Sequence, residues 1–235
     1  MKTGQFITFL GLFAALSVAA FGQNVVVMDP TKNSPEVSLT AAEEKILKNE
    51  AVPRVKKKLG EEGCVAEPEP AGVAHGSFTK AGAKQSIIFY QYCQTGNGLG
   101  WAGLVLIENG KMTGNWAADS GWTQEIATVP DINKNGLDEF VLSWGGGMHQ
   151  GEGGIGVDLM EFKGSLPKGL GWFQAEQFDD TETTNVWKVT AKPGLEPVFY
   201  RQKFISAENK KYRHVGSNTV FKLKKTFLSA FEVIK

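Results

Sequence analysis

Two stretches of this chain repeat one another at a nearly constant offset, and an internal repeat constrains a fold more than any single motif does. Residues Ser77 to Ile88 align with Asp131 to Leu142, 54 positions on, with Gly82 over Gly136 and Lys80 over Lys134. A strand-like apolar run follows each glycine. Gly103 to Glu108 aligns in turn with Gly156 to Glu161, at an offset of 53. A third, worn copy runs from Val189 to Gly194 ahead of Val198, Phe199 and Tyr200. Trp122, Trp172 and Phe227 recur between the strands of the three units.

Units of this length with several short strands fit four-stranded propeller blades. Strands are expected at 86–92, 101–108, 111–117 and 122–128, then at 139–144, 155–162, 172–177 and 184–189. The last unit offers 197–203, 211–214, 218–223 and 227–234. Asn109-Gly110 is a strong two-residue hairpin signal, and the 28 glycines suit a turn-rich β protein. The chain therefore reads as all-β: a propeller-like array of about three four-stranded blades, with units near 76–129, 130–187 and 188–235. Three blades are too few to close a ring, which leaves an open stack or closure by self-association. A two-sheet sandwich would use the same strands.

Ahead of the repeats, Met1-Lys2 and the apolar run from Phe6 to Ala20 have the layout of a signal peptide cleaved before Gln23, covering 1–22. The run is too short to be a comfortable membrane span, and no later stretch supplies a transmembrane segment. Export to a periplasmic or extracellular compartment is the expectation. In an oxidising compartment an even cysteine count points to a disulfide, here Cys64 with Cys93; two separate buried thiols are the alternative. Residues 23–39 read as a flexible leader. Thr40 and Glu43 form a capping box opening a short helix over 40–60, kinked or restarted at Pro53 and ended by Gly60. Such a helix can cover an exposed sheet edge. Residues 61–75, with two prolines, read as a linker into the β-repeat domain of 76–235.

Chemistry concentrates in the second unit. Asp131, Asn133 and Asn135 place oxygens at alternate positions of a tight loop, and Gly136 permits the turn. The Leu137 carbonyl adds a donor, and Glu139 or Asp138 closes the shell. Hard oxygen donors without nitrogen or sulfur suit calcium. An Asx-rich turn without metal is the competing reading. The loop and the following Phe140 to Ser143 resemble the calcium loop of FG-GAP-type (integrin α-like, VCBS) propeller repeats. That resemblance implies one weak Ca2+ site on Asp131, Asn133, Asn135, Glu139 and the carbonyl of Leu137. It departs from the family pattern in its two asparagines, in Glu139, and in Trp144-Gly145 where Ala-Pro is usual. It also implies an interaction module whose partner is a protein or glycan.

An alternative function is an exported hydrolase using His149 and Glu152 in the glycine-rich stretch 145–156; no nucleophile or phosphate-loop motif accompanies them. Lys plus Arg and Asp plus Glu balance at 25 each, so nothing global points to nucleic acid. The balance is local, however. Residues 112–187 carry 12 acidic and 3 basic side chains, net −9, and residues 188–235 carry 3 and 11, net +8. The asymmetry is open to three readings: attraction between adjacent units, a basic face for an anionic glycan, lipid surface or acidic protein, or a homo-oligomer pairing the two faces.

Overall fold

The computed structural model describes residues 23–34, 36–96, 99–146, 153–178, 183–206, 211–226, 228 and 230–235. The strands are β1 (Val25–Met28), β2 (Glu69–Gly76), β3 (Gln85–Gly96), β4 (Leu99–Glu108), β5 (Lys111–Ser120), β6 (Trp122–Val129), β7 (Glu139–Gly145), β8 (Gly153–Lys163), β9 (Leu166–Phe178), β10 (Thr184–Lys192), β11 (Val198–Ser206), β12 (Tyr212–Phe221) and β13 (Glu232–Val233). Helical residues run as α1 (Ala41–Ile46), a π-helical turn (Leu47–Ala51) and α2 (Val52–Leu59). The expected all-β class with a short leading helix is what forms.

The strands sort into two antiparallel sheets, one ordered β13-β5-β4-β3-β2 and the other β12-β11-β10-β9-β8-β7-β6, with β1 added along β10. Among the described residues the strands do not form three separate four-stranded sheets. The repeat is instead carried by two consecutive meanders, β2–β5 and β6–β9, shifted one strand earlier than the expected units 76–129 and 130–187. Their central hairpins match residue for residue. Tyr90 pairs with Gly103 in the first and Trp144 with Gly156 in the second, each an aromatic lying over a glycine. A side chain at Gly103 would strike the Tyr90 ring, with 2.1 Å between a Cβ and the ring. The third unit has no sheet of its own, since β10 to β12 extend the second meander. Val189 and Ala191 lie within β10, not in a loop. The two strands expected at 211–214 and 218–223 are one strand, β12, which passes through Gly216 at φ 77°.

One apolar layer lies between the sheets. Phe78, Ile87, Phe89, Leu104 and Trp116 of the first pack against Ile126, Phe140, Leu142, Met160 and Phe162 of the second. The helical segment covers the opposite face of the first sheet: Ile46, Leu47, Ala51 and Val55 meet Ile88, Tyr90, Val105 and Ile107. It covers a face where the sequence suggested an edge. A third layer, with Val141, Val157, Leu159 and Val189, lies on the far side of the second sheet. The capping box forms as read: the Glu43 amide donates to Thr40 Oγ1 and the Thr40 amide to Glu43 Oε2. Pro53 has no N–H to donate, and the backbone accommodates it with the π turn just before; Gly60 at φ 76° ends α2.

Two stretches of the expected organisation change. The leader 23–39 is not free throughout, because β1 pairs with β10 and Asp29 forms an ion pair with Lys188 at 2.8 Å. Val25, Val26 and Val27 are good strand formers whose partner lies far along the chain, so local periodicity is silent about them. The linker 61–75 holds the disulfide Cys64–Cys93, a Val65 amide bond to the Gln94 carbonyl, and most of β2. Its Pro70 sits in a sheet-edge strand beside a register shift, where a missing N–H is tolerated.

Candidate metal centre

The loop 130–138 joins β6 to β7 and is the structural counterpart of 77–84, which joins β2 to β3. Gly82 and Gly136 both take positive φ, 73° and 85°, three residues before the next strand. Phe78 and its counterpart Ile132 are fully buried and anchor each loop to the core. A side chain three residues past the glycine then caps that anchor. Gln85 Oε1 accepts the Phe78 amide at 2.9 Å, and Glu139 Oε2 accepts the Ile132 amide at 2.9 Å. The loops also bond each other: the Ser77 amide donates to Asp138 Oδ2 at 2.8 Å, and the Asp138 amide to the Ser77 carbonyl at 3.1 Å.

Of the residues expected to hold calcium, Asp131 accepts the Asn135 amide through Oδ1 (3.1 Å) and the Gly136 amide through Oδ2 (2.8 Å). Asn133 Oδ1 accepts the Asn135 amide at 3.0 Å, and Asn135 Oδ1 accepts the Leu137 amide at 2.8 Å. These oxygens are folded into a nest of Asx turns, as in the competing reading, and each retains a lone pair. Asp138, the other acidic candidate, faces the first loop.

Glu139 differs from the rest. Its side chain is fully buried, and its second oxygen, Oε1, has no hydrogen-bond partner. Burial pushes its carboxyl up to about 7, aided by the charges of Asp131 and Glu161 and opposed by hydrogen bonds from the Ile132 amide and from its own backbone amide. Glu161, on β8, was not picked out as a ligand by its sequence position. It accepts from Asn133 Nδ2 at 3.1 Å and from Asn135 Nδ2 at 3.4 Å. Its alignment with Glu108 in the repeat was the available signal, but as a strand-end carboxylate it carried no motif.

Among the described residues no group of three or more His, Cys, Asp or Glu side chains stands ready to hold a metal ion. The donor set here is mixed, with amide and backbone oxygens supplementing carboxylates. Among the described residues Glu139 Oε1 is the buried carboxylate oxygen left without a hydrogen-bond partner. The alternative hydrolase pair, His149 and Glu152, lies outside the described residues. The expected disulfide is formed, with the two Cα atoms 5.1 Å apart. Among the described residues no helix is long and apolar enough to cross a membrane.

No protein-family model, curated protein or solved structure matches this chain.

Proposed function

We propose that this chain is an exported, calcium-stabilised β module that binds a protein or glycan partner and performs no catalysis. The observation that carries the calcium reading is Glu139 Oε1, buried without a hydrogen-bond partner just past a loop whose Asp131, Asn133 and Asn135 side-chain oxygens accept backbone amides. A buried, unpartnered carboxylate oxygen is costly, and Ca2+ supplies the missing charge with flexible oxygen coordination. Asp131, Asn133, Asn135, the Leu137 carbonyl and Glu139 would hold it. The signal-like first 22 residues and the Cys64–Cys93 bridge support export. The ribbon β11–β12 supports the interaction role. It is the free end of the eight-stranded sheet, with Arg201 over the Phe221 ring and Lys203 over the Trp187 ring, at 5.7 and 5.8 Å. Aromatic rings beside cations suit anionic or carbohydrate partners.

Calorimetric titration tests the ion. Ca2+ is expected to bind with a Kd on the order of 10⁻⁴ to 10⁻³ M, as weakly charged extracellular sites do. Tenfold excess then stabilises the fold by about 1.4 kcal/mol, or about 3–6 °C in Tm for a chain of this size. Mg2+ gives less, because it resists dehydration and demands an octahedral shell. Asp131→Ala removes the increment and also lowers the calcium-free Tm, since two loop amides lose their acceptor. Silence of the wild-type protein at millimolar Ca2+ would leave the loop as a hydrogen-bonded turn.

A further inference from the structure

We infer that one face of the β10–β12 end of the sheet is a docking surface for an acidic polysaccharide, held through Arg201, Lys203 and Arg213. This rests on the interaction reading above and narrows its partner to a linear chain of sugars bearing carboxylate or sulfate groups.

Strand register puts the three cations in a row. β10 and β11 pair without interruption from Thr184 and Ser206 to Lys192 and Val198, so alternate residues of β11 share a face. Arg201 and Lys203 lie on one face, and Arg213 of β12 joins them as the direct partner of Ile205. The row spans about 14 Å, at roughly 3.4 Å per residue. Arg201 and Arg213 are exposed, and none of the three forms an ion pair with another described residue. β10, β11 and β12 contain no Asp or Glu. Farther across the sheet the same face carries Asn185 and its β9 partner Gln177, both neutral. Lys188, which pairs with Asp29, points to the other face. Two of the three cations are also held in place, Arg201 over the Phe221 ring and Lys203 over Trp187, its direct cross-strand partner. Charges oriented before a partner arrives bind it without the full cost of ordering long side chains.

The same geometry discriminates among anionic partners. A nucleic acid strand stacks its bases on open rings, and here both rings are capped by cations. A membrane surface takes up exposed apolar side chains, whereas Val198 and Val220, 39% and 64% exposed, stand on the opposite face. A peptide strand added to β12 needs a regular edge. The register shift between Arg201 and Lys203, with Gly216 at φ 77°, interrupts that edge. An acidic polysaccharide needs no backbone pairing. It brings anionic groups at a fixed repeat on a stiff chain, and the two arginines meet anionic oxygens with paired N–H donors.

The test titrates the whole chain with polygalacturonate, heparin, neutral dextran, poly-L-glutamate, single-stranded DNA and phosphatidylglycerol vesicles. Calorimetry is expected to show binding of an acidic polysaccharide that weakens with salt, and none of dextran. Arg201→Gln/Lys203→Gln/Arg213→Gln should weaken that binding about tenfold or more, since each charge-assisted contact is a strong one. Lys45→Gln/Lys57→Gln/Lys80→Gln removes three exposed charges outside these strands and should leave it unchanged. Arg201→Lys/Arg213→Lys should keep only part of the affinity, because lysine retains the charge and loses the fork. Equal weakening by the two triple variants means diffuse attraction and overturns the inference. Binding of poly-L-glutamate, DNA or vesicles through these three residues, as tight as that of either polysaccharide, also overturns it and leaves the interaction role standing. Binding of none of the probes overturns the docking surface together with the support that β11–β12 gives to that role.

Discussion

Gln85 and Glu139 occupy equivalent positions, both buried and both holding the amide of the loop's buried anchor, Phe78 or Ile132. They differ in one atom, and that atom decides which loop needs help. With its carboxyl pushed up to about 7 from the usual 4.5, chiefly by burial, Glu139 keeps a proton in the folded state that the unfolded chain has already released. Between those values the folded state binds more protons, so stability falls as pH rises. The contribution is fully present below about 4.5 and lost as pH passes through about 7; its size is on the order of 2–3 kcal/mol. Urea unfolding in chelator at pH 5 and pH 8 should show this loss in the wild type and not in Glu139→Gln. An identical pH dependence in the two proteins would mean that Glu139 ionises normally in the fold.

At the scale of elements, the disulfide and the helix act as one unit. Cys64 follows α2 directly, Tyr92 donates its hydroxyl to the Gly60 carbonyl at 2.6 Å, and Asn115 Nδ2 donates to the Ala51 carbonyl at 3.1 Å. The bridge spans 29 residues, and cross-linking a loop of that length constrains the unfolded chain by about 3–4 kcal/mol. Replacing both cysteines with serine should lower the unfolding free energy by that amount, with the denaturant midpoint falling by that energy divided by m, and expose the 40–60 segment to proteolysis before the sheets. Simultaneous loss of helix and sheets would show that they unfold together. The helix was legible because its signals are local: Thr40 and Glu43 at the start, Pro53 within, Gly60 at the end. The sheet partition was not. Ile87, Ile88, Phe89 and Tyr90 are all buried, because helix and second sheet cover both faces of β3, and a strand buried on both faces shows no alternation to read. Individual strands were recognisable from their turns, but which sheet each joins depends on partners distant in sequence. β1 is the extreme case, defined wholly by β10.

For the whole molecule, the repeat built two meanders and packed them face to face, with Ser77 and Asp138 bonding one loop to the other. The 130–138 loop is therefore tied to the first sheet's loop beside the layer between the sheets. Five of its residues were visible in the sequence as oxygen donors. Glu161 was hidden because it reaches the loop only through strand register, and the roles of Asp138 and Gln85 were hidden because both act through contacts between copies. Glu139→Gln removes a ligand, yet it rebuilds the arrangement of Gln85, with an NH2 group facing Glu161 and Asn133. Melting of wild type and Glu139→Gln at pH 8, each in chelator and in millimolar Ca2+, reads this directly. Glu139→Gln is expected to melt above the wild type in chelator and not to respond to Ca2+, while the wild type gains a few degrees. A variant that melts lower in chelator and keeps the full calcium increment would contradict it.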